Sequence, residues 1–183
     1  MIVTKRQPVY TGRYLRLVRK YFQAASEEGA WEMVERTNIH NRGAVVVIAL
    51  TKKREVILER IWRVPLESFV IEFPAGLSDR EGESEEETAK RELLEETGYM
   101  ATKLVPIIQA PECPVLTSSG VSYFLAHDVE FVGIKRKDVA EEIEVLIVPI
   151  GKLGDFLLNV PKDTMLDLRI PGILWILERR KLI

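Results

Sequence analysis

The N-terminal part of the chain alternates apolar and polar residues with the two-residue period of a β-strand. Residues 13–22 predict one strand, residues 27–30 a turn, and residues 30–35 a returning strand. These elements predict an N-terminal antiparallel strand pair. We therefore divide the chain into a β-hairpin subdomain over residues 1–38 and a larger domain over residues 39–183.

Apolar runs of strand length recur through the second part, and three stretches have the spacing of helices. Strands are predicted at residues 43–50, 55–60, 69–73, 104–110, 121–129 and 143–150, and helices at 84–97, at 153–158 and from 165 or 171 to 181. This mixture predicts an α/β fold in which helices cover a mixed sheet. The last helix is apolar nearly all round, so it must be covered, either by the core or by a second subunit.

The helix predicted at residues 84–97 has a defined signal at each end. Ser84 followed three residues later by Glu87 is the pattern of a capping box, and Gly98 suits the left-handed conformation of a C-cap. The register of this helix therefore follows from the sequence alone.

Three carboxylates lie on neighbouring positions of this helix. Glu92 and Glu96 are four residues apart and share one stripe, with Glu95 beside them. Like charges this close repel unless a cation lies among them, and oxygen ligands favour Mg²⁺ or Mn²⁺. The cluster predicts divalent-metal chemistry on phosphate esters. The alternative is a solvated helix face held by pairs such as Arg91 with Glu95.

The residues around the helix resemble the Nudix hydrolase family. The family pattern is Gly, five residues, Glu, seven residues, then Arg-Glu-apolar-any-Glu-Glu-any-Gly-apolar, and the chain matches it from Glu83 through Tyr99. Counted back from Glu83, the opening glycine falls at Leu77, whereas the chain has Gly76. The loop is thus one residue longer, and we expect the extra residue within 78–82. The resemblance implies a Nudix α/β/α sandwich.

Most of the chain is similar to the ADP-ribose pyrophosphatase branch of that family. The matching segments are residues 31–36, 63–65 and 72–76, with Pro114 fifteen residues after Tyr99. The resemblance implies a homodimer in which the N-terminal strands are exchanged and help to bind the base. It also implies substrate contacts at Tyr14, Trp31, Arg36, Arg63, Leu77 and Cys113.

These positions suit a nucleoside diphosphate sugar. Tyr14 and Trp31 have aromatic rings on which adenine can stack. Arg36 and Arg63 have planar guanidinium groups that can donate two hydrogen bonds to diphosphate or ribose oxygens. The alternatives are packing alone for the two aromatic residues and surface ion pairs for the two arginines.

The resemblance also implies the chemistry. Mg²⁺, with Mn²⁺ as an alternative, is expected on the Ala75 carbonyl and on Glu92, Glu95 and Glu96, with Arg91 holding the glutamates. A later loop glutamate is expected to handle the attacking water; Glu141 is the first candidate and Glu142 the second.

The expected reaction is hydrolysis of ADP-ribose to AMP and ribose 5-phosphate. Two alternatives remain at this point. One is another nucleoside diphosphate sugar, GDP-mannose or UDP-glucose, and the other is a Nudix module that binds a nucleotide without cleaving it.

The composition of the chain bears on its binding partners and on its location in the cell. The net charge is −2 and the isoelectric point about 5.9, so no overall field attracts nucleic acid. No apolar run approaches the roughly 20 residues that cross a bilayer, which argues against a membrane partner. The first residues lack the apolar segment of a secretory signal, and Cys113 is the single cysteine. We expect a cytoplasmic protein.

Overall fold

The computed structural model describes residues 1–37, 43–133 and 142–183. The N-terminal part is an antiparallel sheet of three strands, β1 (Ile2–Thr11), β2 (Leu15–Ala24) and β3 (Glu27–Arg36). The predicted strand pair corresponds to β2 and β3, and β1 was missed. Every residue of β1 is exposed, so neither face had to be apolar and the alternation that marks a half-buried strand is absent.

The turn between β2 and β3 also differs from the prediction. It consists of Ala25 and Ser26, since Ala24 pairs with Glu27, and Ala25 takes a positive φ of 47°. The predicted turn at 27–30 lies inside β3. A two-residue hairpin loop needs left-handed backbone, and glycine marks such loops most clearly in a sequence. This loop contains no glycine, so the signal at Gly29 was misleading.

The larger sheet joins nine strands of the described residues. They are β4 (Gly43–Thr51), β5 (Glu55–Arg63), β6 (Ser68–Glu72), β7 (Ala75–Leu77), β8 (Tyr99–Met100), β9 (Leu104–Pro111), β10 (Gly120–Phe131), β11 (Ile143–Pro149) and β12 (Thr164–Leu166). The six predicted strands are all present, with ends within three residues of the prediction. The short strands β7, β8 and β12 were not predicted.

The sheet opens between β4 and β5, and this opening positions the candidate site. β4 pairs with β5 only at Ala49 and Leu50. At the other end of β4 the short strand β7 takes the place of β5, pairing over residues 44–46. On its other edge β4 runs parallel to β10. The backbone of residues 75–77 therefore lies inside the sheet and directly under the helix that follows.

Helices cover both faces of this sheet. α1 (Glu85–Thr97) packs on one face, and α2 (Ile150–Leu158) and α3 (Arg169–Arg179) pack on the other. The alternation of β4 divides its side chains between the two cores, with Val45 and Val47 facing α1 and Val46 and Ile48 facing α2 and α3. The expected mixed α/β/α sandwich is confirmed.

The last helix buries only one of its faces. Ile170, Ile173, Leu174 and Leu177 lie in the core, whereas Trp175 is 59% exposed. Core packing therefore accounts for the buried stripe, and the expectation that the whole helix is covered does not hold within this chain. Among the described residues, no helix has the length and hydropathy needed to cross a membrane.

Candidate active site

The capping box predicted for α1 fixes where its side chains point. The Ser84 hydroxyl accepts the Glu87 N–H at 3.2 Å, and the Glu87 carboxylate accepts the Ser84 N–H at 2.9 Å. At the other end Gly98 has a φ of 74° and donates its N–H to the Leu94 carbonyl. With both ends fixed, Glu92 and Glu96 face the opening beside β7.

Glu92 occupies the space that a side chain at Gly76 would fill. A Cβ added to Gly76 would lie 2.1 Å from the Glu92 Cδ. Gly76 itself pairs with Val45 in the sheet, so the backbone cannot retreat. The glycine is therefore required by the close approach of the Glu92 carboxylate to the backbone of β7.

Glu96 of α1 contacts Ala75, the residue just before Gly76 in β7. Its carboxylate accepts the Ala75 N–H at 3.0 Å. This contact brings the Ala75 peptide, whose carbonyl is the predicted metal ligand, next to the carboxylates of α1. The carboxylates of Glu92 and Glu96 thus lie side by side along the backbone of residues 75 and 76.

Arg91 is at the centre of the acidic cluster. Its Nε and Nη2 donate to the two carboxylate oxygens of Glu83, each at 2.9 Å, and its Nη1 donates to Glu92 at 2.6 Å. Glu95 lies 3.4 Å from the same Nη1, and Asp79 lies 3.8 Å from Nη2. The longer loop does not prevent Glu83 from reaching Arg91.

The longer loop contributes a second cation to the cluster. Arg80 lies 3.4 Å from Oε1 of Glu95, whereas Arg91 lies 3.4 Å from Oε2 of the same carboxylate. Neither Arg80 nor Asp79 was among the predicted site residues. The family pattern leaves these loop positions unspecified, so no signal in the sequence could have identified them.

Burial changes the proton affinity of this group. It raises the pKa of Glu92 to about 7, and the negative charges of Glu95 and Asp79 act in the same direction. The ion pair with Arg91 opposes the rise but is outweighed. For Glu83, whose carboxylate takes two hydrogen bonds from Arg91, the pKa falls below its ordinary value. Glu92 therefore holds a proton more readily than Glu83 does.

The carboxylate and carbonyl oxygens of this cluster are the type of ligand that a divalent cation prefers, although they do not surround one point. Within 1–37, 43–133 and 142–183, no three His, Cys, Asp or Glu side chains are close enough to hold a metal ion as they stand. Arg91 lies between Glu92 and Glu95, and Glu96 turns to the Ala75 N–H. A cation would take over the role of Arg91 at Glu92, which is a buried carboxylate beside other negative charges.

Arg63 is held by Glu72 instead of being free to meet a ligand. Its Nε and Nη2 donate to the two Glu72 oxygens, each at 2.8 Å. The Glu72 side chain is only 12% exposed, whereas that of Arg63 is 36% exposed. Glu72 is the first residue of the matching segment 72–76, but it was not predicted as a site residue. The bidentate pair fixes the position of the Arg63 guanidinium.

Of the three predicted contacts in the N-terminal part, Trp31 lies apart from Tyr14 and Arg36. Trp31 is 52% exposed, and its Nε1 donates to the Val115 carbonyl at 2.9 Å. Tyr14 is exposed beside Leu15, which pairs with Arg36 at the far end of β3. Trp31 and Arg36 are five residues apart on that strand, so the backbone at Trp31 is roughly 16 Å from the end of the sheet beside Tyr14. Tyr14 and Trp31 do not form a sandwich within one chain.

Trp31 and the loop after β9 enclose a cavity of about 220 Å³. Its other lining residues are Lys20, Met33, Pro114, Val115, Leu116, Thr117 and Ser118. Cys113 opens this loop, and its carbonyl accepts the N–H groups of Leu116 and Thr117 at 3.0 and 2.9 Å. Arg36 lies 3.8 Å from Glu112, just before Cys113. The N-terminal sheet and this loop therefore meet at the predicted base-binding residues.

The remaining predicted residues occupy three different environments. Leu77 is half-buried and pairs with Ala44 in the sheet. Glu142 is exposed, and its carbonyl accepts the Trp62 N–H at 3.3 Å. Glu141 lies outside the described residues. The assignment of a water-handling glutamate thus stays a prediction.

Comparison with known proteins agrees with this geometry. The Nudix domain family model matches residues 40–167. An ADP-ribose pyrophosphatase of Bacillus subtilis is 38% identical over 117 residues, and the alignment spans 63% of each chain. An ADP-sugar pyrophosphatase of Mus musculus is 34% identical over 178 residues, which cover 90% of this chain and 75% of the mouse protein.

A solved structure agrees in fold. The crystal structure of an ADP compounds hydrolase superposes with a TM-score of 0.80 at 23% identity, covering 97% of this chain and 92% of that one. With the family model matching well over half of the chain and the acidic helix in the register of the family pattern, this protein belongs to the Nudix hydrolase family.

Proposed function

We propose that the protein is a Mg²⁺-dependent hydrolase that cleaves the diphosphate of ADP-ribose to AMP and ribose 5-phosphate. The observation that carries the proposal is the packing of Glu92 against Gly76, with Glu96 on the neighbouring Ala75 peptide. The contacts of both carboxylates with the backbone of residues 75 and 76 support a metal site at the opening of the sheet. The similarity to pyrophosphatases of ADP-ribose and ADP-sugars supports the choice of substrate.

The residues that would hold the metal are Glu92, Glu95, Glu96 and the Ala75 carbonyl. Nudix hydrolases generally use divalent metal ions, and an all-oxygen donor set favours Mg²⁺, with Mn²⁺ able to replace it. When bound, the ion neutralises charge on the diphosphate and lowers the pKa of the attacking water. Arg91 keeps the glutamates in register through its two bonds to Glu83.

The arginines supply the remaining positive charge for the substrate. Arg63 is fixed by Glu72 and its side chain is 36% exposed, and we propose that it contacts a diphosphate oxygen. Arg80 extends from the longer loop toward Glu95. Glu141 or Glu142 would position or deprotonate the water, as the family resemblance implies.

The base would bind against the face of Trp31. The indole N–H is already used by the Val115 carbonyl, so the ring offers its π face and little hydrogen-bond capacity. Tyr14 lies too far away in the same chain to form the opposite wall. We propose that the second wall comes from another copy, which makes the active form a homodimer. A cytoplasmic location remains a prediction.

The test compares turnover of ADP-ribose, GDP-mannose and NADH by the purified protein, with Mg²⁺ and with EDTA. We expect ADP-ribose to have the highest kcat/KM and EDTA to abolish its turnover. Glu96→Gln should reduce kcat about a hundredfold or more, since a metal ligand is worth several kcal/mol to the transition state. The matched control is Glu86→Gln on the exposed face of α1, where Glu86 pairs with Lys90.

Three outcomes would contradict the proposal. Turnover that persists in EDTA would show that the reaction needs no metal ion. Turnover by Glu96→Gln close to that of the original protein would show that Glu96 is not a metal ligand needed for the reaction. If ADP-ribose were the poorest of the three compounds, the choice of substrate would be wrong even though the chemistry held.

A further inference from the structure

A second and larger cavity lies at the other end of α1. Its volume is about 630 Å³, within the usual range for small-molecule pockets. We call it the α1–β9 cavity, and it is lined by residues 82–85 at the start of α1, residues 106–109 of β9 and residues 122–124 of β10. No residue predicted to bind substrate or metal lies among them.

Three polar side chains from three elements form a hydrogen-bonded chain in this cavity. Gln109 donates from Nε2 to the Ser122 hydroxyl at 3.1 Å, and that hydroxyl donates to the Glu85 carboxylate at 2.8 Å. Ser122 is only 6% exposed, so the middle of the chain is buried. Gln109 itself is exposed at the cavity mouth. The chain therefore connects a buried hydroxyl to a polar surface that a ligand can reach.

A β-bulge directs Gln109 into the cavity. Tyr123 of β10 pairs with Ile108 and Phe124 pairs with Pro106, so Ile107 is an extra residue on β9. Ile107 packs in the core beneath α2 and α3. Without the bulge, Gln109 would point to that same face, because side chains two residues apart share a face. The inserted residue reverses the direction and brings Gln109 to Ser122.

The charges around the cavity exclude an anion as its ligand. Glu83 and Glu85 both line it. The start of α1 is also closed to an anion, since the Ser84 hydroxyl and the Glu87 carboxylate already satisfy its capping positions. A phosphate would meet two carboxylates and no cation of the cavity lining.

The remaining chemistry suits an uncharged ring that bears several hydroxyl groups. A carboxylate accepts several hydrogen bonds, and an amide both donates and accepts, so neighbouring hydroxyls can meet Glu85 and Gln109 together. Pro106, Ile108 and Phe124 supply apolar surface for the C–H face of such a ring. We propose that the α1–β9 cavity binds an uncharged sugar ring through Gln109, Ser122 and Glu85.

The sugar could be a free one or the sugar end of a nucleotide held at the acidic cluster. Glu83 lines the cavity and also pairs with Arg91, so the two sites adjoin. Glu85 and Glu92 are seven residues apart on α1, which corresponds to roughly 10 Å. The hydroxyl-bearing ring is common to both sources, and the experiment separates them.

The test is a titration of ¹⁵N-labelled protein with D-ribose, followed through the backbone amide signals. We expect saturable shifts at Glu85, Gln109 and Ser122, and none at these amides with inorganic phosphate. Gln109→Ala should weaken ribose binding about five- to tenfold, the effect of losing one net hydrogen bond. Gln23→Ala, in the turn region of the N-terminal sheet, is the matched control and should bind ribose like the original protein.

Kinetics with ADP-ribose then assign the source. If the sugar end of the nucleotide occupies the cavity, Gln109→Ala raises KM and leaves kcat unchanged; if the site takes a free sugar, both parameters stay the same while ribose binding falls. Ser122→Ala gives an independent variant should Gln109→Ala fail to fold. The proposal is overturned if ribose leaves the three amides unmoved, or if both variants bind it unchanged. The titration needs no turnover, so its failure is separate from failure of the proposed hydrolase activity.

Discussion

Arg91 and Glu83 are joined by two parallel hydrogen bonds of 2.9 Å, although the loop between Gly76 and Glu83 is one residue longer than the family pattern. Residues 79–81 of this loop are exposed, so they can take up the added length before Glu83. The guanidinium is thus held on one side while its Nη1 contacts Glu92. Glu83 therefore positions Arg91, and Arg91 positions the carboxylates.

Arg91→Lys tests this arrangement. An ammonium group cannot make the two parallel bonds to Glu83, so the glutamates should lose their alignment. We expect kcat for ADP-ribose to fall about 10- to 100-fold, and the Mg²⁺ concentration that gives half-maximal activity to rise. Kinetics measured across a Mg²⁺ series provide both values.

Lys90→Ala is the control for that variant, because Lys90 pairs with Glu86 on the same helix, away from the cluster. A purely structural role for Arg91 would lower stability and leave the Mg²⁺ dependence unchanged. That result would contradict the positioning role.

Gly76→Ala should damage the site through one methyl group. The new Cβ would lie 2.1 Å from the Glu92 Cδ, so the carboxylate or the strand must move. We expect a loss of about 1–3 kcal/mol in the free energy of unfolding and a large loss of kcat. Urea unfolding and turnover are measured on the same preparation.

Gly154→Ala provides the comparison, since a Cβ at Gly154 in α2 would meet no atom within 4 Å. Alanine is the better helix former there, so this variant should be as stable as the original protein or more stable by up to about 1 kcal/mol. Equal behaviour of the two variants would show that the contact between Gly76 and Glu92 does not constrain the site.

Trp31→Ala should weaken substrate binding and leave the chemical step intact. Base stacking on an aromatic ring is worth about 1–3 kcal/mol, so KM should rise roughly five- to 150-fold at constant kcat. Trp31→Phe keeps a ring face but loses the hydrogen bond to Val115, so its KM should lie between those of the original protein and Trp31→Ala.

Trp175→Ala controls for the loss of an exposed indole, because Trp175 on α3 is 59% exposed and far from the N-terminal sheet in the chain. Its kinetics should match those of the original protein. An unchanged KM in Trp31→Ala would exclude Trp31 from the base pocket.

The sequence predicted the parts of this protein that local physics determines. The cap at Ser84, the C-cap at Gly98 and the apolar run that forms β4 each need only neighbouring residues, and all three are present. Contacts between distant segments were not predictable. Arg63 meets Glu72 through their side chains, although the strand register pairs Arg63 with Ser68 and Glu72 with Glu59. The hydrogen-bonded chain from Gln109 to Glu85 depends on a β-bulge for which the sequence contains no signal. β1 was missed because an exposed strand need not alternate.

The stability of the metal-free protein should depend on pH through Glu92. Its pKa is raised from 4.5 to about 7 by burial, so between these values the folded protein binds more protons than the unfolded chain. The stabilisation linked to Glu92 is therefore fully present below about pH 4.5 and is lost as the pH rises through 7. Glu92→Gln cannot ionise and should escape this loss.

We expect the free energy of unfolding of Glu92→Gln, relative to that of the original protein, to increase between pH 5 and pH 8 by an amount on the order of 1–3 kcal/mol. Urea unfolding in the presence of EDTA at the two pH values measures this difference. Glu86→Gln, on the exposed face of α1, should show no comparable change. A constant difference for Glu92→Gln would mean that Glu92 is already ionised at pH 5, because its pairing with Arg91 at 2.6 Å outweighs its burial.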